Sequence, residues 1–269
     1  MKVSCLQMNM ELGVPTKNFD IAKRLITEAM KSKPDVLVLP ETWNTGFFPK
    51  DNLADLSCKD GKEIKEQIGS LAKEYAVNIV AGSVSNLRGG RVYNTAYVFD
   101  REGKCITEYD KIHLFTPMGE DKFYTTGNTL NSFTLDGVKC SVIICYDLRF
   151  PELTRTLALQ GLDMLFVVSQ WPKARTFHLR TLLTARAIEN QIFAVSCNSC
   201  GIADNTVFGG NSSIINPLGE TLALAGETEK ILSADCNTNI LSEIRNTIPV
   251  FRDRRQELYI NTLHNKPNN

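Results

Sequence analysis

Three residues of this chain are of the types that together could cleave an amide. Cys145 ends an apolar run in "SVIICYDLRFPEL", residues 141 to 153, where Asp147, Arg149 and Glu152 follow at once. Glu41 comes directly after the apolar stretch "DVLVLP", and Lys111 stands in "EYDKIHLF" beside Tyr109, Ile112 and Leu114. A thiol attacks a carbonyl as thiolate, so it needs a neighbouring base, and a departing amide nitrogen needs a proton. A carboxylate can serve both steps, and an ammonium can face the charge that develops on the carbonyl oxygen.

Taken singly, each residue also has an ordinary structural role. Glu41 could be solvated at a strand end, Lys111 could snorkel from a half-buried strand, and Cys145 could be a small hydrophobe in the core. The charges after Cys145 argue against the last role, because they imply that its strand has reached the surface. Histidine is the usual base for a cysteine, and the chain has His113, His178 and His264. His264 lies in a polar tail and His178 in a helical stretch. His113 is the competitor, since strand alternation puts it on the same face as Lys111.

Positioning these side chains falls to alternating strands and helices. "KVSCLQM" reads as a strand, residues 17–32 as an amphipathic helix with Phe19, Ile21, Leu25 and Ile26 on one face, and "DVLVLP" as a buried strand. A second helix carries Ile64, Ile68 and Leu71, with Asp60 and Glu63 as its cap. "VNIVAGSVS" and "RVYNTAYVFD" read as strands around the turn "NLRGG", and "KCITEYDK" continues them. The second half repeats the rhythm: "KCSVIIC", a helix opened by Pro151, "DMLFVVS", a helix through "TLLTARAIEN", then "IFAVSC". Two similar halves of a layered α/β architecture are implied, with no Pro- or Ser-rich linker dividing them. Strand ends in such sheets open the crevices where ligands bind. After residue 237 the text turns polar and reads as an arm.

With 30 basic and 30 acidic residues the net charge is zero, and no Lys/Arg block is present to track a phosphate backbone or an anionic membrane. Nucleic acid and membrane are therefore not expected as partners. The start "MKVSCLQMN" lacks the apolar region of a signal peptide, so a cytoplasmic location is expected, with the eight cysteines reduced. "CNSC", Cys197 and Cys200, has the spacing of a zinc or redox pair but no second ligand pair nearby, and reads as core packing.

"LPETW", "YDKIHLF" and "IICYDLRFPEL", in that order, resemble the three signature segments of the nitrilase superfamily, the carbon-nitrogen hydrolases. "GEDKFYTTGN" is similar to the family's loop with a second glutamate, here Glu120, and "SQWPKAR", "TARAIENQ" and "GGNSSIINPLGE" resemble its later segments. The resemblance implies an α-β-β-α sandwich of four layers, a hydrolase domain over residues 1–255 with residues 256–269 as a C-terminal arm or tail, and a homodimer. It implies Glu41 as general base, Lys111 as oxyanion stabiliser, Cys145 as nucleophile and Glu120 as a positioning carboxylate. The backbone N–H of Tyr146 would join Lys111 at the oxyanion, and no metal or organic cofactor is required.

"CYDLRFPEL" is most similar to the ω-amidase branch, which hydrolyses the terminal amide of 2-oxo dicarboxylic acid monoamides such as 2-oxoglutaramate and 2-oxosuccinamate. In that branch the position of Arg149 grips the substrate carboxylate. The alternative for Arg149 is a structural pair with an acid such as Glu152. Trp171 and Trp43 would wall the pocket or simply pack. Competing readings are an N-carbamoyl amine or aliphatic amide hydrolase, and a non-catalytic binding member, against which the intact Glu41, Lys111 and Cys145 argue.

Overall fold

Each of the two similar halves builds most of one sheet in a computed structural model that describes residues 1–47 and 49–263. The first half runs β1 (Lys2–Gln7), α1 (Pro15–Ala29), β2 (Val36–Val38), α2 (Leu53–Leu56), β3 (Cys58–Lys59), α3 (Lys62–Tyr75), β4 (Asn78–Arg88), β5 (Arg91–Phe99) and β6 (Cys105–Asp110). The second runs β7 (Phe133–Leu135), β8 (Val138–Ile144), α4 (Pro151–Ala158), β9 (Met164–Ser169), α5 (Thr176–Asn190), β10 (Phe193–Asn198), β11 (Cys200–Ala203), β12 (Thr206–Gly209), β13 (Ser213–Ile215), β14 (Thr221–Leu224) and β15 (Lys230–Asp235). Helices α6 (Ile240–Thr247) and α7 (Gln256–Leu263) close the described chain.

The first sheet has the order β15-β1-β2-β4-β5-β6, with β3 added to β4, and the second β14-β13-β10-β9-β8-β7. In both, three parallel strands linked through helices form the centre, namely β1, β2 and β4 or β8, β9 and β10, and antiparallel strands extend the edges. The sheets pack face to face: Val3, Val36, Val38 and Val98 share a core with Val142, Ile144, Phe166 and Val195. The alternate residues face outward. Leu37, Ile79 and Phe99 lie under α1 and α3, and Ile143, Leu165 and Val167 under α4 and α5. Strands covered on both faces favour apolar residues at most positions, which is why several read as nearly continuous apolar runs. The layers are α-β-β-α, as expected.

Local details depart from expectation. At the start of α3 the turn is made by Gly61, with φ of 66°, and not by a side-chain cap; Glu63 instead accepts the Lys59 N–H at 2.9 Å. A Cβ on Gly61 would stand 2.3 Å from the Tyr97 hydroxyl, so only glycine fits. The segment after residue 237 also begins as a docked element. Leu241 is buried in the core between the sheets, Arg245 donates to Asp163 at 3.0 Å and to the Leu162 carbonyl at 2.7 Å, and Gln191 donates to the Ile248 carbonyl at 2.7 Å. A few polar anchors thus do the work for which the sequence shows few apolar ones. Residues 264–269 of the expected tail, His264 among them, lie outside the described residues.

Strand β6 is antiparallel to β5, which is antiparallel to β4, so β6 runs with β2 and β4. The C-terminal ends of β2 and β6 from one sheet, and of β8 and β9 from the other, therefore open toward one edge of the sandwich.

Candidate active site

Glu41 leaves the end of β2 and is about 1% exposed. Its loop is pinned by the Trp43 N–H on the Ser83 carbonyl at 3.2 Å and the Ser83 N–H on the Pro40 carbonyl at 3.0 Å. Gly82 permits this approach: its φ is +61°, and a Cβ there would lie 2.0 Å from the Pro40 carbonyl oxygen. One carboxylate oxygen of Glu41 accepts from Lys111 Nζ at 2.8 Å and Asn94 Nδ2 at 2.9 Å, while the other accepts the Gln170 N–H at 2.9 Å.

Lys111 follows the last residue of β6 and is as deeply buried as Glu41. Its ammonium contacts both oxygens of Glu120 at 2.9 Å, in addition to Glu41. Burial works to discharge it, but the two carboxylates outweigh burial and hold its pKa well above the usual lysine range. Glu120 is kept in place by the Phe115 N–H at 2.6 Å and Asn94 Nδ2 at 3.3 Å. For Glu41, burial raises the pKa above 4.5 and Glu120 adds to the rise against the pull of Lys111.

Cys145 sits where β8 ends and a turn of 3-10 helix over Cys145–Arg149 begins. Its φ is +50°, a left-handed conformation that a side chain adopts only when its surroundings impose it. The thiol donates to Glu41, and burial followed by the Glu41 charge pushes its pKa well above 9 despite Lys111. At rest the sulfur therefore keeps its proton.

The residue that imposes this turn is Asp147. Sequence reasoning took it as a sign of surface, yet it is fully buried. One of its oxygens accepts the Ile144 N–H at 3.0 Å and the Tyr109 hydroxyl at 2.8 Å. The other accepts the N–H and ring Nδ1 of His113 at 3.0 and 2.8 Å. His113, stacked on Phe150 with centroids 3.6 Å apart, is thereby committed to Asp147, and the chain leaves strand geometry at Asp110, so alternation does not align it with Lys111.

Cys145 and Lys111 open onto a pocket that encloses about 390 Å³ of empty space, mouth included. Phe47, Phe115, Met118 and Phe208 supply apolar walls, and Tyr146, Gln170 and Trp171 line it near Cys145. The Arg149 guanidinium lies over the Trp171 ring, 4.6 Å from its centroid, with His178 Nδ1 at 3.3 Å. Among the described residues it forms no ion pair, with Glu152 or any other acid. Trp43 is displaced from its expected place: it is fully buried under α1, edge-on to Phe19 at 4.7 Å, with Nε1 donating to the Ala81 carbonyl, and does not line the pocket. Cys197 and Cys200 are both buried, Cys197 in the core between the sheets. Sequence reasoning missed Asn94, which bridges the two glutamates, and Arg175, a second guanidinium in the pocket lining. Arg175 lies within the quoted segment "SQWPKAR", so its basic type beside Trp171 was the available signal.

Comparison with known proteins places this geometry among relatives. Residues 2–246 match the carbon-nitrogen hydrolase family. The chain is 43% identical to the 2-oxoglutaramate amidase of Bacillus subtilis (strain 168), covering 96% of this chain and 98% of that one. It is 32% identical to omega-amidase NIT2 of Xenopus tropicalis, covering 91% and 92%. Among solved structures it resembles a mutant of the amidase from Nesterenkonia sp. AN1, in which acrylamide has undergone Michael addition at the active site cysteine. That likeness has a TM-score of 0.86 at 25% identity and covers 97% of this chain and 99% of the other.

Proposed function

The chain belongs to the carbon-nitrogen hydrolase family and is an amidase of it, and from that premise we propose that Cys145, Glu41 and Lys111 carry the reaction, with Glu120 fixing Lys111. The observation that supports these roles is the shared hydrogen-bonding of one carboxylate, Glu41, with both the Cys145 thiol and the Lys111 ammonium at the floor of a pocket.

When a substrate carbonyl enters, Glu41 takes the thiol proton as the sulfur bonds to the carbonyl carbon. The developing oxyanion faces Lys111 and the Tyr146 N–H, since the first N–H groups of a helical turn have no partner within it. Glu41 then returns the proton to the nitrogen, and ammonia leaves a thioester. Water, deprotonated by the same carboxylate, attacks the thioester; the acid departs and the thiol regains its proton. Thiolate, carboxylate and ammonium cover every step without a metal or organic cofactor.

The substrate is a small amide with a carboxylate, foremost the ω-amide of a 2-oxo dicarboxylic acid such as 2-oxoglutaramate or 2-oxosuccinamate. Support comes from Arg149, whose guanidinium lies in the pocket without an acidic partner among the described residues, and from the relative named as a 2-oxoglutaramate amidase. Ammonia release from 2-oxoglutaramate, glutamine, simple amides, N-carbamoyl amines and nitriles tests it. The 2-oxo acid amide should lead; greater turnover of an N-carbamoyl amine or an uncharged amide would overturn the assignment.

The protein further acts as a homodimer in the cytoplasm. Leu159, Ile188 and Ile248, between 44% and 60% exposed, offer a second copy apolar surface on the α4–α5 side, and eight free thiols suit a reducing compartment. Among the described residues no helix is long and apolar enough to cross a membrane. A monomer mass by light scattering at micromolar concentration would refute the dimer.

A further inference from the structure

The pocket holds two guanidiniums, and one substrate carboxylate bound by Arg149 leaves the second, Arg175, without a partner. Arg175 precedes α5, half-buried, its guanidinium over the Phe115 ring at 5.1 Å from the centroid. Arg149 is braced in the same manner by Trp171. Both line the cavity that holds Cys145 and Lys111. Among the described residues neither arginine forms an ion pair, whereas Lys111 is matched by two carboxylates. Among the described residues no aspartate or glutamate stands in the wall that carries the two arginines; Glu41, at the floor, is already engaged by Lys111, Asn94 and the Gln170 N–H. The space in front of the nucleophile is therefore walled by two planar cations without ion-pair partners among the described residues, each set over an aromatic ring, which limits the side-chain entropy lost when an anion is bound.

We propose that Arg175 is a specificity-determining residue which, together with Arg149, receives the 2-oxo carboxylate head of the substrate and rejects a 2-ammonium carboxylate head. The inference rests on the amidase reading given above and deepens it. Arg149 alone suffices for one carboxylate in a two-point contact. A 2-oxo acid presents a further acceptor, the carbonyl oxygen next to that carboxylate, and a second guanidinium supplies a donor for it. An amino acid amide such as glutamine has the same length and the same carboxylate, but an ammonium group at that position. In this lining the ammonium would meet two like charges and no carboxylate to accept its protons, while losing its own hydration. Discrimination then arises from repulsion as much as from attraction.

Three substrates separate the possibilities: 2-oxoglutaramate, glutamine and the uncharged butyramide, each assayed with wild type, Arg175→Gln and Arg175→Lys. The expected result is that Arg175→Gln lowers the ratio of kcat/KM for 2-oxoglutaramate over butyramide by tenfold or more, chiefly through KM, and lowers the ratio over glutamine as well. Arg175→Lys should recover part of the rejection of glutamine, because it restores charge without the planar donor pair. Both ratios staying within about twofold of wild type in Arg175→Gln would overturn the inference, as would an equal fall for all three substrates, the mark of a merely structural role. Wild type supplies the separate control: if it shows no preference for 2-oxoglutaramate over butyramide, the substrate assignment itself fails, whatever the variants do.

Discussion

Lys111 Nζ lies 2.8 Å from Glu41 Oε1, and both side chains are about 1% exposed. With Glu120 on the other side of the ammonium at 2.9 Å, one positive charge serves two negative ones in a space that excludes water. A pair so buried does not persist for stability's sake, since apolar residues of similar volume would do as well or better. The excess negative charge has a chemical consequence: it helps keep the proton on Cys145 until a substrate carbonyl arrives, in contrast to a thiolate preformed beside a cation.

Replacing Cys145 by alanine should abolish amide hydrolysis and leave the fold intact, because β8 still packs on both faces. Acid quenching followed by mass spectrometry should find wild type carrying an acyl adduct on Cys145 and the variant carrying none. Appreciable turnover by Cys145→Ala would sink the thioester route.

Lys111→Met removes a donor to the oxyanion and should cost on the order of 100-fold or more in kcat. It also leaves Glu41 and Glu120 facing each other without the cation, so a drop in melting temperature should accompany it. Glu41→Gln, which removes both proton transfers, should be at least as damaging. Either variant within about threefold of wild type shows that its role has been misassigned.

The pH dependence follows from Glu41. Burial, with Glu120 in support, raises its pKa above 4.5, so the base is lost as pH falls through a value higher than that of an exposed glutamate. For an uncharged amide, which does not itself titrate, kcat/KM should decline on the acid side with a midpoint above 4.5. Lys111, held well above 10.5, should contribute no decline near neutral pH on the alkaline side. An acid limb of unchanged midpoint in the residual activity of Glu41→Gln would assign the titration to another group.

Glu41 and Cys145 stood out in the sequence because each follows an unbroken apolar run, whereas Lys111 follows the mixed strand "CITEYD" and stood out only as a cation in a half-buried stretch. The two-sheet fold was legible for a similar reason, since burial on both faces favours apolar residues along the central strands. Contacts made across the sandwich carry no such mark. Asn94 lies within β5, where nothing in the alternation shows that its amide bridges Glu41 and Glu120. Trp43 lies two residues beyond Glu41, yet its ring turns under α1 while the carboxylate turns inward, a divergence set by a loop pinned to Ser83. Asp147 misled because a charge after a core strand ordinarily means solvent, and its four donors come from two stretches of chain, Tyr109 and His113 on one and Ile144 on the other.

Arg149→Lys separates binding from packing. An ammonium cannot reproduce the planar two-point contact with a carboxylate, so the preference for 2-oxoglutaramate over an uncharged amide should fall about tenfold or more. Melting temperature should change little, because Arg149 makes no ion pair among the described residues. A large loss of stability with an unchanged preference would contradict carboxylate binding at this residue.

Asp147→Asn tests whether the turn that holds Cys145 depends on a buried carboxylate. Each Asp147 oxygen faces a backbone N–H, that of Ile144 on one side and that of His113 on the other. Either orientation of an asparagine amide therefore brings its NH₂ against a backbone N–H. The Tyr109 hydroxyl can rotate and the His113 ring can change tautomer, but a peptide N–H has no such freedom. A buried donor left without an acceptor costs about 2–3 kcal/mol, enough to lower the melting temperature by roughly 4–6 °C in a chain of this size. Because the same bond to Ile144 fixes the residue just before the nucleophile, kcat should fall as well, by more for Asp147→Asn than for a core substitution of equal thermal cost such as Leu157→Val in α4. If the two variants lose stability equally and activity equally, Asp147 contributes to packing alone; a larger loss of kcat in Asp147→Asn at matched stability is the outcome expected of a residue that sets the position of the thiol.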